Sequence, residues 1–198
     1  ADIHRRTASE VFGVPFDEVT SEMRSAAKAV NFGIVYGISD FGLARQLGIS
    51  RKEAARYIEL YFMRYPGVHT YLKGCVERAK QQGAATTLFG RRREMPELKS
   101  SNYNTRSFGE RVAMNMPIQG TAADIIKLAM VRVHNELKAR GMKSELILQI
   151  HDELIIDAVQ EEADAAAEIL KSCMENVVNL KVPLLAEVHT GHSWFDTK

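Results

Sequence analysis

Residues 145–159 read ELILQI-HDE-LIIDAV. Two aliphatic runs, Glu145–Ile150 and Leu154–Ala158, flank a very short connection, and that spacing predicts a β-hairpin. The nearly continuous Leu and Ile predict strands covered on both faces. A tight connection ordinarily takes Asn-Gly, Asp-Gly or another glycine pair, yet here His151, Asp152 and Glu153 stand in its place. Carboxylates beside a buried sheet are costly unless they are solvated, paired or bound to a metal. Hard oxygen donors at a rigid strand end suit Mg2+, which takes one or two carboxylates plus substrate phosphates. A solvated turn that serves solubility alone is the competing reading.

Upstream of the hairpin, Ala122, Ile125, Ala129, Val133 and Leu137 fall near helical spacing and predict a helix from Gln119 to Arg140. A separate helix is expected over Asn104–Met116, stopped by Pro117. Downstream, a helix over Gln160–Asn179 and a last strand over Leu184–His189 are predicted. The acidic run Glu161-Glu162-Ala163-Asp164 suits a helix start through the macrodipole. Toward the N-terminus, helices are expected over Ala1–Phe12, Ser21–Phe32, Arg51–Arg64 and Val68–Gln82. Ala85–Phe89 is β-rich and runs into a turn at Gly90–Arg93. A helical half followed by strands crossed by helices gives an α+β fold class.

The 198 residues are 45% apolar and 26% charged, ordinary values for a globular protein with a real core. No apolar run approaches the roughly 20 residues that span a bilayer. The N-terminal ADIHRRTASE resembles neither a signal nor a transit peptide. Cys75 and Cys173 are far apart on apolar helical stripes and indicate no disulfide framework or thiolate zinc site. Asp2 with His4, and His189 with His192, each lack a third metal ligand nearby in sequence. A reducing cytoplasmic location without a membrane partner is therefore expected. The net charge of +1 hides an asymmetry: residues 1–143 hold 23 Lys and Arg against 14 Asp and Glu, while residues 144–198 hold 3 against 11. A basic body of +9 and an acidic tail of −8 favour anionic partners.

In SEMRSAAKAVNFGIVYG, residues 21–37, Arg24, Lys28, Phe32 and Tyr36 recur every four residues. On a helix they align with a slow drift along roughly 18 Å. Two cations at one end and two aromatics at the other match the polarity of a nucleoside triphosphate. The plain alternative is a surface helix with Phe and Tyr in the core and solvated Arg and Lys.

Read together, these segments resemble one family. RSAAKAVNFGIVYG is similar to motif B, and LILQIHDELII to motif C, of the family A DNA polymerases, the bacterial DNA polymerase I type. TLFGRRR, ERVAMNMPIQGTAAD and the Ser-Trp-Phe tail match in order, so the resemblance covers the whole chain. It implies a mostly helical fingers subdomain plus part of the antiparallel-sheet palm of a right-hand polymerase. Residues 1–83 would be mainly fingers, and 84–198 the remaining fingers and palm elements with the catalytic hairpin 145–158. It further implies that Arg24 and Lys28 hold the triphosphate, with Lys28 also catalytic. Phe32 would pack on the nucleotide's sugar and base, and Tyr36 would sit at the mouth of the templating pocket. Phe at position 32 resembles members that discriminate against dideoxynucleotides. Asp152, with Glu153 beside it, would coordinate two Mg2+ ions, and His151 would lie near the primer end. Arg111, Asn115 and Gln119 would follow the minor groove, where donors to universal acceptors read no sequence. Arg91 and Arg92 belong to a segment, 78–111, with eight basic and three acidic residues, and would touch DNA phosphates.

The implied partners are primer-template DNA, deoxynucleoside triphosphates and an N-terminal part of the polymerase, in a bacterial cytoplasm beside the nucleoid. Motif A, with the family's other catalytic Asp, has no counterpart in this sequence, nor have a thumb or an exonuclease domain. The expectation is a polymerase portion that is inactive by itself, with an open aliphatic sheet edge that invites association. A non-catalytic DNA- or nucleotide-binding fragment, and a Mg2+-dependent phosphohydrolase built on the His-Asp-Glu turn, are the other readings.

Overall fold

The computed structural model describes residues 2–197; Ala1, the predicted start of the first helix, lies outside them. The chain divides into two compact units, one up to Ile118 and one from Gln119.

In the first unit, five helices form in succession: α1 (Ile3–Phe12), α2 (Ser21–Val35), α3 (Asp40–Leu47), α4 (Arg51–Arg64) and α5 (Pro66–Gln82). Their starts follow the capping chemistry in the sequence. Asp2 accepts from the His4 and Arg5 N–H groups, Thr20 from Met23, and Ser39 from Gly42. Ser50 and Glu53 form a reciprocal capping box. Val11, Val30, Ile34, Leu43, Ala54, Tyr61 and Leu72 bring all five helices into one buried cluster. Two predicted boundaries shift: α2 runs beyond Phe32 to Val35, and α5 begins at Pro66 rather than Val68. Helix α3 is not predicted at all. It has eight residues with a glycine inside, and its apolar side chains Leu43 and Ala44 are buried by neighbours distant in sequence.

After α5 comes a small antiparallel pair, β1 (Ala84–Thr86) with β2 (Arg92–Glu94). It is shorter than the predicted run to Phe89. Thr87 N–H bonds Arg91 O across a turn that contains Gly90 at φ +82°, so Leu88 and Phe89 lie in the turn. Ala85, Met95 and Leu98 then pack with Ala79 and Ala113.

The two helices expected on either side of Pro117 are one, α6 (Tyr103–Ala139). Proline inside a helix removes a hydrogen bond at a cost of about 3 kcal/mol. Burial on both sides of it outweighs that cost: Ala113 and Met116 pack in the first unit, and Ile126, Ala129, Val133 and Leu137 in the second. The boundary between the units falls one residue after the proline.

In the second unit, β3 (Glu145–Ile150) pairs antiparallel with β4 (Glu153–Asp157), as predicted. A register irregularity between Leu146 and Leu148 leaves Ile147 outside the pairing. The expectation that both faces are covered fails. Leu146, Leu154 and Ile156 pack into the core with α6 and with α7 (Ala163–Glu175), while Ile147 is 58% and Leu148 44% exposed. Among the described residues nothing forms a second layer there. The predicted helix from Gln160 to Asn179 narrows to a 3-10 turn followed by α7. The predicted strand Leu184–His189 does not form. Pro183 has no N–H to give a ladder, Ala186 N–H bonds the Glu175 carboxylate, and Leu185 is 85% exposed. No helix among the described residues is long and apolar enough to cross a membrane.

Candidate functional site

Helix α2 is amphipathic in the sense its sequence implies. Ala27, Val30, Gly33 and Ile34 are buried, while Arg24, Lys28, Phe32 and Tyr36 are all exposed. The reading that put the two rings in the core is thereby overturned: Phe32 is 48% and Tyr36 44% exposed. The rings lie nearly parallel, with centroids 6.5 Å apart. A helix that packs its small side chains inward and presents aromatic surface beside two cations offers a face for a flat, anionic ligand.

Helix α1 adds to this face from residues the sequence reading set aside. The Arg24 Nε donates to Asp2 Oδ2 at 2.7 Å. The His4 ring lies 5.6 Å from that of Phe32. Thr7 Oγ1 donates to Ile3 O and accepts from Asn31 Nδ2, which also contacts His4 Nδ1 at 3.0 Å. Asn31 thus donates and His4 Nδ1 accepts, which leaves the His4 proton on Nε2. Only the pairing of α1 with α2 brings these groups together; their one local signal was Asp2 as the N-cap of α1.

The C-terminus of α2 meets α6. Gly37 sits at φ +68° in a left-handed cap closed by Ile38 N–H to Gly33 O at 2.7 Å. A Cβ on Gly37 would come within 2.6 Å of Met114 Cε and 2.9 Å of Arg111 Cγ. Arg111 donates on to Ser107 Oγ at 3.0 Å. Asn115 Oδ1 is buried and accepts no hydrogen bond among the described residues, an acceptor in need of a partner. Gln119 follows on α6 as the first residue of the second unit. On the β1–β2 hairpin, Arg92 Nε pairs with Glu94 at 2.7 Å, and Arg91 N–H donates to Thr87 Oγ1.

In the second unit, His151, Asp152 and Glu153 are exposed at the turn between β3 and β4. His151 is the one non-glycine residue with positive φ, +53°, among the described residues. It occupies the first central position of the turn, where glycine is ordinarily favoured. Gln149 Nε2 holds the His151 carbonyl at 2.7 Å. At the far end of the hairpin, the Glu162 carboxylate accepts from the Lys143 and Ser144 N–H groups and from Ser144 Oγ at 2.6 Å. Ser144 Oγ in turn accepts from Val159 N–H. Those hydrogen bonds, the Ser144 hydroxyl foremost, hold the Glu162 carboxyl below the usual carboxylate range. Glu162 is thus a clamp across the hairpin base, not the solvated dipole partner its acidic run suggested.

Among the described residues no three His, Cys, Asp or Glu side chains form a metal-ligating group. Asp152 and Glu153 alone are a donor set for one side of an oxygen-ligated divalent ion that completes its shell with water and phosphate. Their chemistry fits Mg2+.

A family model described as DNA polymerase family A matches residues 1–196. The chain is 58% identical over 197 residues to DNA polymerase I of Caldicellulosiruptor bescii, covering all of this chain and 23% of that protein. Its identity to DNA polymerase I of Bacillus caldotenax is 54%, with 100% and 22% covered, and to that of Bacillus subtilis 53%, with the same coverage. The chain therefore spans less than a quarter of the length of these relatives. Among solved structures, the POL domain of Pol1 from M. smegmatis in complex with DNA primer-template and dNTP superposes with a TM-score of 0.94. Identity there is 45%, covering 98% of this chain and 34% of that one.

Proposed function

Because this chain belongs to DNA polymerase family A, we propose that it supplies the nucleotide-binding helix and the metal-binding hairpin for template-directed transfer of deoxynucleotides to a primer 3′ end. The observation that carries this reading is the exposed row Arg24, Lys28 and Phe32 on a helix whose other side is core, continued by exposed Tyr36 at its C-cap. Arg24 and Lys28 take the triphosphate, Lys28 also easing departure of pyrophosphate; Phe32 packs on sugar and base, and Tyr36 borders the templating position. In the transfer the primer 3′ oxygen bonds the α-phosphorus, its proton passes to solvent water, and the bond from that phosphorus to the departing pyrophosphate breaks.

Asp152 and Glu153 would hold Mg2+, with His151 beside the primer end. Bound there, Mg2+ supplies neutralisation of phosphate charge and a more acidic 3′-hydroxyl. Arg111, Asn115 and Gln119 serve the minor groove as donors to its universal acceptors, and Arg91 and Arg92 serve phosphates. Residues 1–83 are mainly fingers, and residues 84–198 the remaining fingers and palm elements. The setting is the bacterial cytoplasm beside the nucleoid, where such an enzyme serves replication and repair.

In a complete polymerase carrying this chain, Asp152→Ala lowers primer-extension kcat by about 1,000-fold or more and leaves DNA affinity within about threefold. Primer extension at the parent rate by that variant overturns the reading. The 198-residue chain alone extends no primer, since two carboxylates do not make a two-ion site.

A further inference from the structure

The Asp2–Arg24 pair has a geometry that a plain surface ion pair lacks. Asp2 splits its two carboxylate oxygens between different tasks. Oδ1 accepts from the His4 and Arg5 N–H groups at 3.1 and 3.0 Å and so is fixed by the first turn of α1. Oδ2 takes the Arg24 Nε at 2.7 Å. No other acceptor for the Arg24 guanidinium occurs among the described residues, so its two Nη groups remain available on a side chain 46% exposed.

We infer that Asp2 is a positioning residue for Arg24. It grips the guanidinium by Nε from a helix-fixed anchor and leaves the Nη fork aimed outward for the phosphates of an incoming nucleotide. This rests on the nucleotide reading of Arg24 given above. An unanchored arginine spreads over many rotamers and must be ordered as the ligand arrives, whereas one held at Nε presents a planar fork already oriented. The two oxygens do not compete for one task, because the cap keeps Asp2 from following the triphosphate. The paired charge lowers the Asp2 carboxyl below its usual range, which keeps the anchor ionised.

Asp2→Asn separates this role from capping. Asparagine caps helices about as well as aspartate. Its single carbonyl oxygen is consumed by the cap, which turns an NH2 toward the Nε donor. Asp2→Ser, another capping residue that cannot reach Arg24, serves as the second variant.

The test is steady-state incorporation of deoxynucleoside triphosphate by the complete polymerase carrying Asp2→Asn, Asp2→Ser, Arg24→Ala and Asp2→Asn with Arg24→Ala. The nucleotide KM is expected to rise about tenfold in both Asp2 variants, with kcat within about twofold of the parent. The double variant should be no worse than Arg24→Ala. An unchanged or lowered KM in the Asp2 variants, or effects that add in the double variant, overturns the inference while the role of Arg24 stands. If Arg24→Ala itself leaves KM unchanged, the nucleotide reading of Arg24 falls, and the positioning role falls with it.

Discussion

The two candidate sites are made rigid in opposite ways. In the first unit, α2 sets Ala27, Val30 and Ile34, each at most 3% exposed, into a core, so its outward row is fixed by packing. In the second unit, the hairpin packs one face only, and its tip is held by hydrogen bonds at both ends: Gln149 on the His151 carbonyl and Glu162 across the base. A ligand that demands a broad face suits a packed helix. A small ion that demands two oxygens suits a turn whose backbone is constrained while its side chains remain in water.

Of the effects that test this contrast, the largest probes the packed face. Lys28→Ala in the complete polymerase lowers kcat/KM for nucleotide by about 100-fold or more, with thermal unfolding unchanged, because Lys28 is exposed and its removal leaves the core intact. A variant that loses stability along with activity would break the separation between inward and outward sides of α2.

An intermediate effect probes the scaffold behind that face. Glu10 accepts from Arg64, Tyr65 and Arg6, and the Arg64 guanidinium foremost, then the Tyr65 hydroxyl, holds its carboxyl down at about 2 from an ordinary 4.5. A depressed folded value means that this stabilisation is complete above pH 4.5 and is lost as pH falls toward about 2. Glu10→Gln should cost about 1–2 kcal/mol at neutral pH. It should also flatten the acid limb of a stability-versus-pH curve between those values. An unaltered acid limb would show that the first unit owes nothing to this hub.

The smallest effect probes the turn. His151→Gly relieves a left-handed residue, so denaturant unfolding should show a gain of about 0.5–1 kcal/mol even as primer extension weakens. A loss of stability instead would mean that the imidazole is held by contacts, as on the packed face, and the contrast between the sites would disappear.

Both candidate sites were legible in the sequence because each is local: a four-residue recurrence along one helix, and two aliphatic runs around a charged tip. What was not legible depends on tertiary placement. Nothing near Asp2 or His4 announces that α1 lies along α2. Pro117 signals a stop, and only burial on either side of it carries α6 through. Leu184–His189 has strand composition but pairs with no strand among the described residues, and Glu162 looked like a dipole residue until Ser144 folded onto it.

The Glu162 clamp has a consequence for how this sequence can change length. Because Lys143 and Ser144 are tied to Glu162, residues 144–162 form a closed circuit with the carboxylate tip at its middle. An insertion of one residue inside that circuit slips the β3–β4 register and turns the side chains beyond it to the opposite face. The segment from 176 to 193, which has neither helix nor ladder, can lengthen without such a slip. Length variation among polymerases of this kind should therefore stop abruptly at Ser144 and resume only beyond Glu162.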